Sequence, residues 1–283
     1  MEEVTPGREE LVVETARALL DREMRRANRP IWLEAGAVVE WAMLHTAPVY
    51  YGIGVPPGDG SGVILVPGFL GTDLYLWELN RWLRRIGYRP FMSEIGRNAD
   101  CLDVLVERLR QTVLRVAMET GRRVHLVGHS LGGILARAVT VQTPDQVESL
   151  VTLGSPFRGI CAHPLVFVTM DRVRKSVRRR RANELEEGCF TSVCNCPAVS
   201  SLGNALPVGS VGMPDHPGRE IRHLAIYTRS DGIVDWQVCT HDDAAANVEV
   251  RGSHIGLVCN HQVYQVLARH LFTQGNQISP AAP

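Results

Sequence analysis

The chain has 283 residues, thirty basic against thirty acidic side chains, and 45% apolar residues. That length suits one large domain or two small ones and is enough for a full hydrophobic core. The composition excludes a disordered chain, and the zero net charge removes any global drive toward nucleic acid. Of the thirty basic residues only Lys175 is a lysine, a usage common in GC-rich genomes and read here as ancestry.

The N-terminus, MEEVTPGREE, is acidic and has no apolar run of the signal-peptide kind. No segment offers the roughly 18 uninterrupted apolar residues of a membrane span. The expected compartment is the cytoplasm, with export of a trimmed chain as the alternative.

Residues 8–27 have helical periodicity, with Val12, Ala16, Leu20 and Met24 recurring every four residues. Asn28 and Pro30 end that helix, and a second, more apolar one is predicted over 31–45, with Trp32, Val38, Trp41 and Leu44 on its apolar face. That face is expected to pack on the sheet or on a cap, with a dimer contact as the alternative. A Pro/Gly loop spans 56–62. From there strands and helices alternate: strand Val63–Pro67, helix 73–86, strand Arg89–Met92, helix 102–119 with Gly121 as C-cap, strand Arg123–Val127 and helix 131–142. Strands Val147–Leu153, Arg222–Tyr227 and Val248–Arg251 follow, and a helix over 260–272 closes the chain. This alternation predicts an α/β fold with a mostly parallel central sheet covered by helices on both faces. Three parts are expected: a helical extension (1–61), a core (62–155 and 221–283) and a cap-like or lid-like insertion (156–220).

The chemistry centres on Gly128-His129-Ser130-Leu131-Gly132, set between a predicted strand and a predicted helix. A serine on so sharp a turn has a strained backbone, and side chains two residues before and after it would clash. The helix that follows points its N-terminal dipole at developing negative charge. Here the chain resembles the α/β-hydrolase family, over about 62–155 and 220–272, and is most similar to small bacterial lipases and esterases. The resemblance implies that Ser130 is the nucleophile. It also implies that the loop Val66-Pro67-Gly68-Phe69-Leu70-Gly71 supplies half of an oxyanion hole, with backbone N–H groups from Phe69 and Leu131. Pro67 stands where the family usually has His, a tolerated change because that side chain is not the donor.

The family's chain order is Ser, then Asp or Glu, then His. Ser230-Asp231-Gly232-Ile233-Val234 matches its strand-end acid segment and implies Asp231 as the acid, with Asp235 as the rival. Gly252-Ser253-His254-Ile255-Gly256-Leu257 resembles its catalytic-histidine segment and implies His254 as the base. His129 is read as a packing residue. No metal or organic cofactor is required by this set.

The insertion carries Arg172-Val173-Arg174-Lys175-Ser176-Val177-Arg178-Arg179-Arg180-Arg181, in which seven of ten residues are basic. Glu184, Glu186 and Glu187 follow at helical distance. The run reads either as a solvated helix with i,i+4 pairs or as a contact for anionic lipid, phosphate or an acidic carrier. Cys161, Cys189, Cys194 and Cys196 leave zinc, a disulfide or free thiols open. The stretch Asn204–Gly218 reads as an irregular loop, and with the apolar stretch 164–170 it is a candidate acyl-binding wall. The leading function is a carboxylic ester hydrolase, esterase or lipase, acting on a small-molecule acyl ester. An acyl-thioesterase or acyltransferase on the same triad is the alternative, and a non-catalytic binding member of the fold is a third reading.

Overall fold

A computed structural model describes residues 30–159, 161–180, 210–212 and 220–272. The expected helix over 8–27, the acidic trio after the basic run, Arg181, most of the 204–218 loop, and Cys189, Cys194 and Cys196 lie outside the described residues.

Among the described residues seven strands form one sheet: β1 (Gly62–Val66), β2 (Arg89–Met92), β3 (Val124–His129), β4 (Val147–Leu153), β5 (Ser210–Gly212), β6 (Glu220–Tyr227) and β7 (Asn247–Glu249). The order is β2-β1-β3-β4-β6-β5, with β7 also beside β6. Every pairing is parallel except that of β5 with β6. β5 pairs with the first residues of β6 and β7 with its last, so two three-residue strands share that edge.

All of β1 and β3 is buried. This is why Gly-Val-Ile-Leu-Val shows no polar alternation: a parallel strand covered on both faces has no wet side. Alternation survives only in where the side chains go. Val63 and Leu65 enter one core layer, Ile64 and Val66 the other.

Among the described residues six α-helices lie around the sheet: α1 (Gly36–Thr46), α2 (Trp77–Arg85), α3 (Leu102–Thr120), α4 (Leu131–Gln142), α5 (Pro164–Arg180) and α6 (His261–Leu271). Leu79, Trp82 and Leu83 of α2 pack with Tyr264 and Leu267 of α6 on one face. Leu105, Leu109 and Val113 of α3 pack with Leu135 and Val139 of α4 on the other. Each fully buried side chain of this size contributes about 1.5–3 kcal/mol.

The expected elements recur with local changes. The predicted helix 31–45 is a 3-10 turn, Ile31–Ala35, followed by α1, and α2 is likewise preceded by a 3-10 turn at Asp73–Leu76. The last strand is shorter than predicted. α1 departs most. Its Leu44 is fully buried, but Val38, Val39, Trp41 and Met43 are exposed, so the expected burial of its apolar face holds for Leu44 alone. Polar anchors dock this segment instead. Glu40 binds Ser253 and Asn260, and the indole N–H of Trp82 donates to Val49 O at 2.8 Å just beyond α1. No helix among the described residues is long and apolar enough to cross a membrane.

Candidate active site

Ser130 sits between β3 and α4 at φ 52° and ψ −124°, a strained conformation for a residue with a Cβ. The strand end is held by Ser130 N–H donating to Leu153 O at 2.8 Å. The two flanking glycines are steric requirements. A Cβ on Gly132 would lie 2.3 Å from Val66 O, and one on Gly128 2.4 Å from Gly133 Cα. The turn therefore closes only where both positions lack a side chain.

The loop after β1 lies against this turn. A Cβ on Gly68 would stand 3.2 Å from Ser130 Cβ. Asn98 fixes the loop, a role that sequence reasoning missed. Its Nδ2 donates to Pro67 O at 2.8 Å, its N–H donates to Gly71 O at 2.9 Å, and its carbonyl accepts from Leu70 N–H at 2.8 Å. Leu70 takes a positive φ of 62° within this clamp. The N–H groups of Phe69 and Leu131 bond no group among the described residues, and both residues line one cavity with Ser130.

Asp231 and His254 are both almost fully buried, and His254 Nδ1 is 2.6 Å from Asp231 Oδ2. The other carboxylate oxygen accepts from Ile233 N–H at 2.8 Å and Val234 N–H at 2.7 Å. With Nδ1 on the carboxylate, Nε2 is the ring nitrogen left for substrate chemistry. Burial alone would lower the His254 pKa, but the charge and hydrogen bond of Asp231, with a further contribution from Glu34, carry it above its ordinary value. Asp235 serves elsewhere. Its carboxylate accepts from Gln237 N–H at 3.0 Å and caps the 3-10 turn Trp236–Cys239.

His129 is buried beneath this pair and is more than packing. A carbonyl can only accept, so His129 Nε2 carries the proton that it donates to His254 O at 3.0 Å. Burial, and then the neighbouring His254, push the His129 pKa down to about 3.

Ser130 and His254 open on a cavity of about 310 Å³. Its walls are almost entirely apolar: Phe69, Leu131, Ile134, Val234 and Ile255 from the core, and Val166 and Met170 from α5. Just beyond Met170 the same helix becomes basic, with Arg172, Lys175, Arg178, Arg179 and Arg180 exposed. Lys175 pairs with Asp171 at 2.7 Å. Cys161 is buried, and no group of three or more His, Cys, Asp or Glu among the described residues is arranged to hold a metal.

Sheet order, strand-end turn and buried Asp–His pair define an α/β-hydrolase fold. Residues 88–200 match the family model described as palmitoyl protein thioesterase. Over 106 residues, 34% of the chain, the sequence is 33% identical to a triacylglycerol lipase of Pseudarthrobacter phenanthrenivorans and 33% identical to one of Burkholderia plantarii. The match covers 33% and 30% of those two proteins, so the chain spans about a third of the length of the relatives it matches. Among solved structures, Bacillus licheniformis lipase BlEst2 aligns at 15% identity and TM-score 0.48 over 77% of this chain and 94% of that one. Carboxylesterase CesB of Bacillus subtilis aligns at 14% identity and TM-score 0.46 over 83% and 98%. The chain thus has an α/β-hydrolase fold and is similar in sequence, over about a third of its length, to triacylglycerol lipases.

Proposed function

We propose that the chain is a serine hydrolase of carboxylic esters that works through an acyl-enzyme on Ser130. His254 Nε2 takes the Ser130 proton as Oγ attacks the acyl carbonyl. The Phe69 and Leu131 N–H groups hold the oxyanion, and the alcohol leaves with the proton from His254. Water then attacks the acyl-enzyme, His254 again acts as base, and the acid departs. Asp231 keeps the imidazole in the required tautomer and stabilises its cation. The observation that carries this reading is the buried Asp231–His254 bond at the edge of an apolar cavity that Ser130 also lines. Fluorophosphonate labelling of Ser130, with a hydrolysis profile across acyl chain lengths, tests it. No labelling of the folded protein would instead support a non-catalytic binding member.

A second reading is an acyl-thioesterase or acyltransferase on the same triad. The palmitoyl protein thioesterase model and the basic end of α5 favour it. It predicts faster turnover of an acyl thioester than of the matching aryl ester. In both readings 156–220 acts as a cap whose apolar half meets the acyl chain. The run from Arg172 onward then meets an anionic headgroup or carrier. Salt-sensitive binding to anionic vesicles tests that contact, and no binding at low salt removes it.

A further inference from the structure

Glu34 lies far from Ser130 in sequence, in a 3-10 turn ahead of α1, yet its carboxylate is buried. Oε1 accepts from Gly232 N–H at 2.9 Å and from His254 N–H at 3.1 Å, and Oε2 accepts from Ile255 N–H at 2.7 Å. Gly232 directly follows the acid and His254 is the base. One side chain therefore ties the acid loop to the histidine loop.

Glu40, six residues on, binds the same histidine loop from α1. Its Oε1 accepts from the N–H and the hydroxyl of Ser253, each at 2.7 Å, and its Oε2 accepts from Asn260 Nδ2 at 3.1 Å. These contacts have steric signatures. A Cβ on Gly256 would meet Glu40 Oε1 at 2.4 Å, and one on Gly232 would meet Glu34 Oε1 at 3.0 Å. The glycines that flank the acid and the base are thus shaped around two carboxylates from the N-terminal segment.

We infer that Glu34 is a positioning residue of the active site, which fixes the distance and orientation between Asp231 and His254 and presents a second negative charge to the imidazole. The inference rests on reading Ser130 and His254 as nucleophile and base. A carboxylate suits this position because its two oxygens accept three backbone N–H groups at once, bonds that are short and strong when the acceptor is charged. Without Glu34 these three backbone N–H groups would lose their acceptor. The titratable groups facing His254 are Asp231, Glu34 and His129, with Glu40 behind Ser253 and Tyr75 beside His129. Of these, the carboxylates favour the imidazolium that forms during turnover. The segment 30–46 thus belongs to the catalytic apparatus.

The test compares the full-length chain with Glu34→Gln and Glu34→Ala. The Nδ1 proton of His254 is followed by NMR across neutral pH, and kcat and KM are measured with a short-chain p-nitrophenyl ester. Removing a negative neighbour lowers the imidazole pKa, so the titration midpoint and the acid limb of kcat move to lower pH in both variants. We expect kcat to fall about 100-fold for Ala and about 10-fold for Gln, with KM within about threefold. The Gln carbonyl keeps the Gly232 and His254 bonds, whereas its amide opposes Ile255 N–H. If Glu34→Ala does not fold, the near-isosteric Gln variant decides. Wild-type kcat and an unmoved midpoint in Glu34→Gln would overturn the inference. A wild type that hydrolyses no ester would sink the hydrolase reading, while the His254 titration would still report on Glu34.

Discussion

His129 and His254 meet twice. Their rings are 4.8 Å apart between centroids, and the Nε2 proton of His129 is donated to the backbone carbonyl of His254 at 3.0 Å. The residue next to Ser130 therefore holds the backbone of His254. This couples the elbow after β3 to the loop after β7 through one neutral imidazole.

His129→Ala should lower kcat about 10-fold, because the backbone of His254 loses the donor that holds it. His129→Gln retains an N–H donor at similar reach and should recover most of the rate. Steady-state kinetics on one ester checks both; an unchanged kcat in the Ala variant would show that the bond is idle.

Ser130 separates stability from catalysis. Ser130→Ala should remove ester hydrolysis by at least about 10³-fold while leaving the fold in place. Ser130→Gly should be equally inactive yet more stable than Ser130→Ala by about 1 kcal/mol, because glycine accepts a φ of 52° without strain. Urea denaturation of the two inactive variants measures the difference.

Gly132→Ala should destabilise the protein by about 3 kcal/mol or more, since its new methyl would stand 2.3 Å from a backbone oxygen of β1. Gly121→Ala meets no atom within 4 Å and should cost only the strain of its positive φ, about 1 kcal/mol. Thermal melts of the pair separate a packing requirement from a conformational one.

Buried histidines set the acid response. Burial, ahead of neighbouring charges, depresses the pKa of His125 and His129 to about 3 and of His241 and His270 to about 4. The unfolded chain takes up protons at these groups below about 6.5, while the folded protein does not. Stability therefore declines as pH falls from about 6.5 toward 4, by up to about 1.4 kcal/mol per group and pH unit. His254, whose pKa is raised, acts with the opposite sign: it adds stability below about 6.5, and this is lost as pH rises through its folded value. Burial holds His223 well below its ordinary value in the same way, so five groups oppose one and the urea midpoint should fall monotonically from pH 6.5 to 4; a flat profile would refute this balance of groups.

Met170→Trp should shift substrate preference toward shorter acyl chains, because α5 forms part of the cavity wall. A chain-length profile that matches wild type would place the acyl group elsewhere.

The parts of this molecule that were legible in its sequence are those in which a side chain, or its absence, announces the requirement. An apolar run such as Gly62–Val66 can only be a strand covered on both faces, and Gly128 and Gly132 mark a backbone contact at close range. Asp231 and Asp235 were ranked by motif, and the structure separates them by partner: one holds His254, the other caps a turn. Glu34, Glu40 and Asn98 left no signal. They act mainly on backbone N–H and carbonyl groups, which every residue possesses, and Glu34 and Glu40 do so across more than 190 positions. The exposed face of α1 was missed for a related reason. Apolar content there suggested burial, but carboxylate anchors decide how the helix docks.

The edge of the sheet at β6 bears on how copies of the chain meet one another. A long, flat edge strand is a template on which a second copy can pair, whereas β5 and β7 offer three residues each and run in opposite directions. Neither piece is long enough to recruit a partner strand in register. At this edge, among the described residues, a second copy of the chain therefore finds no long strand to pair with.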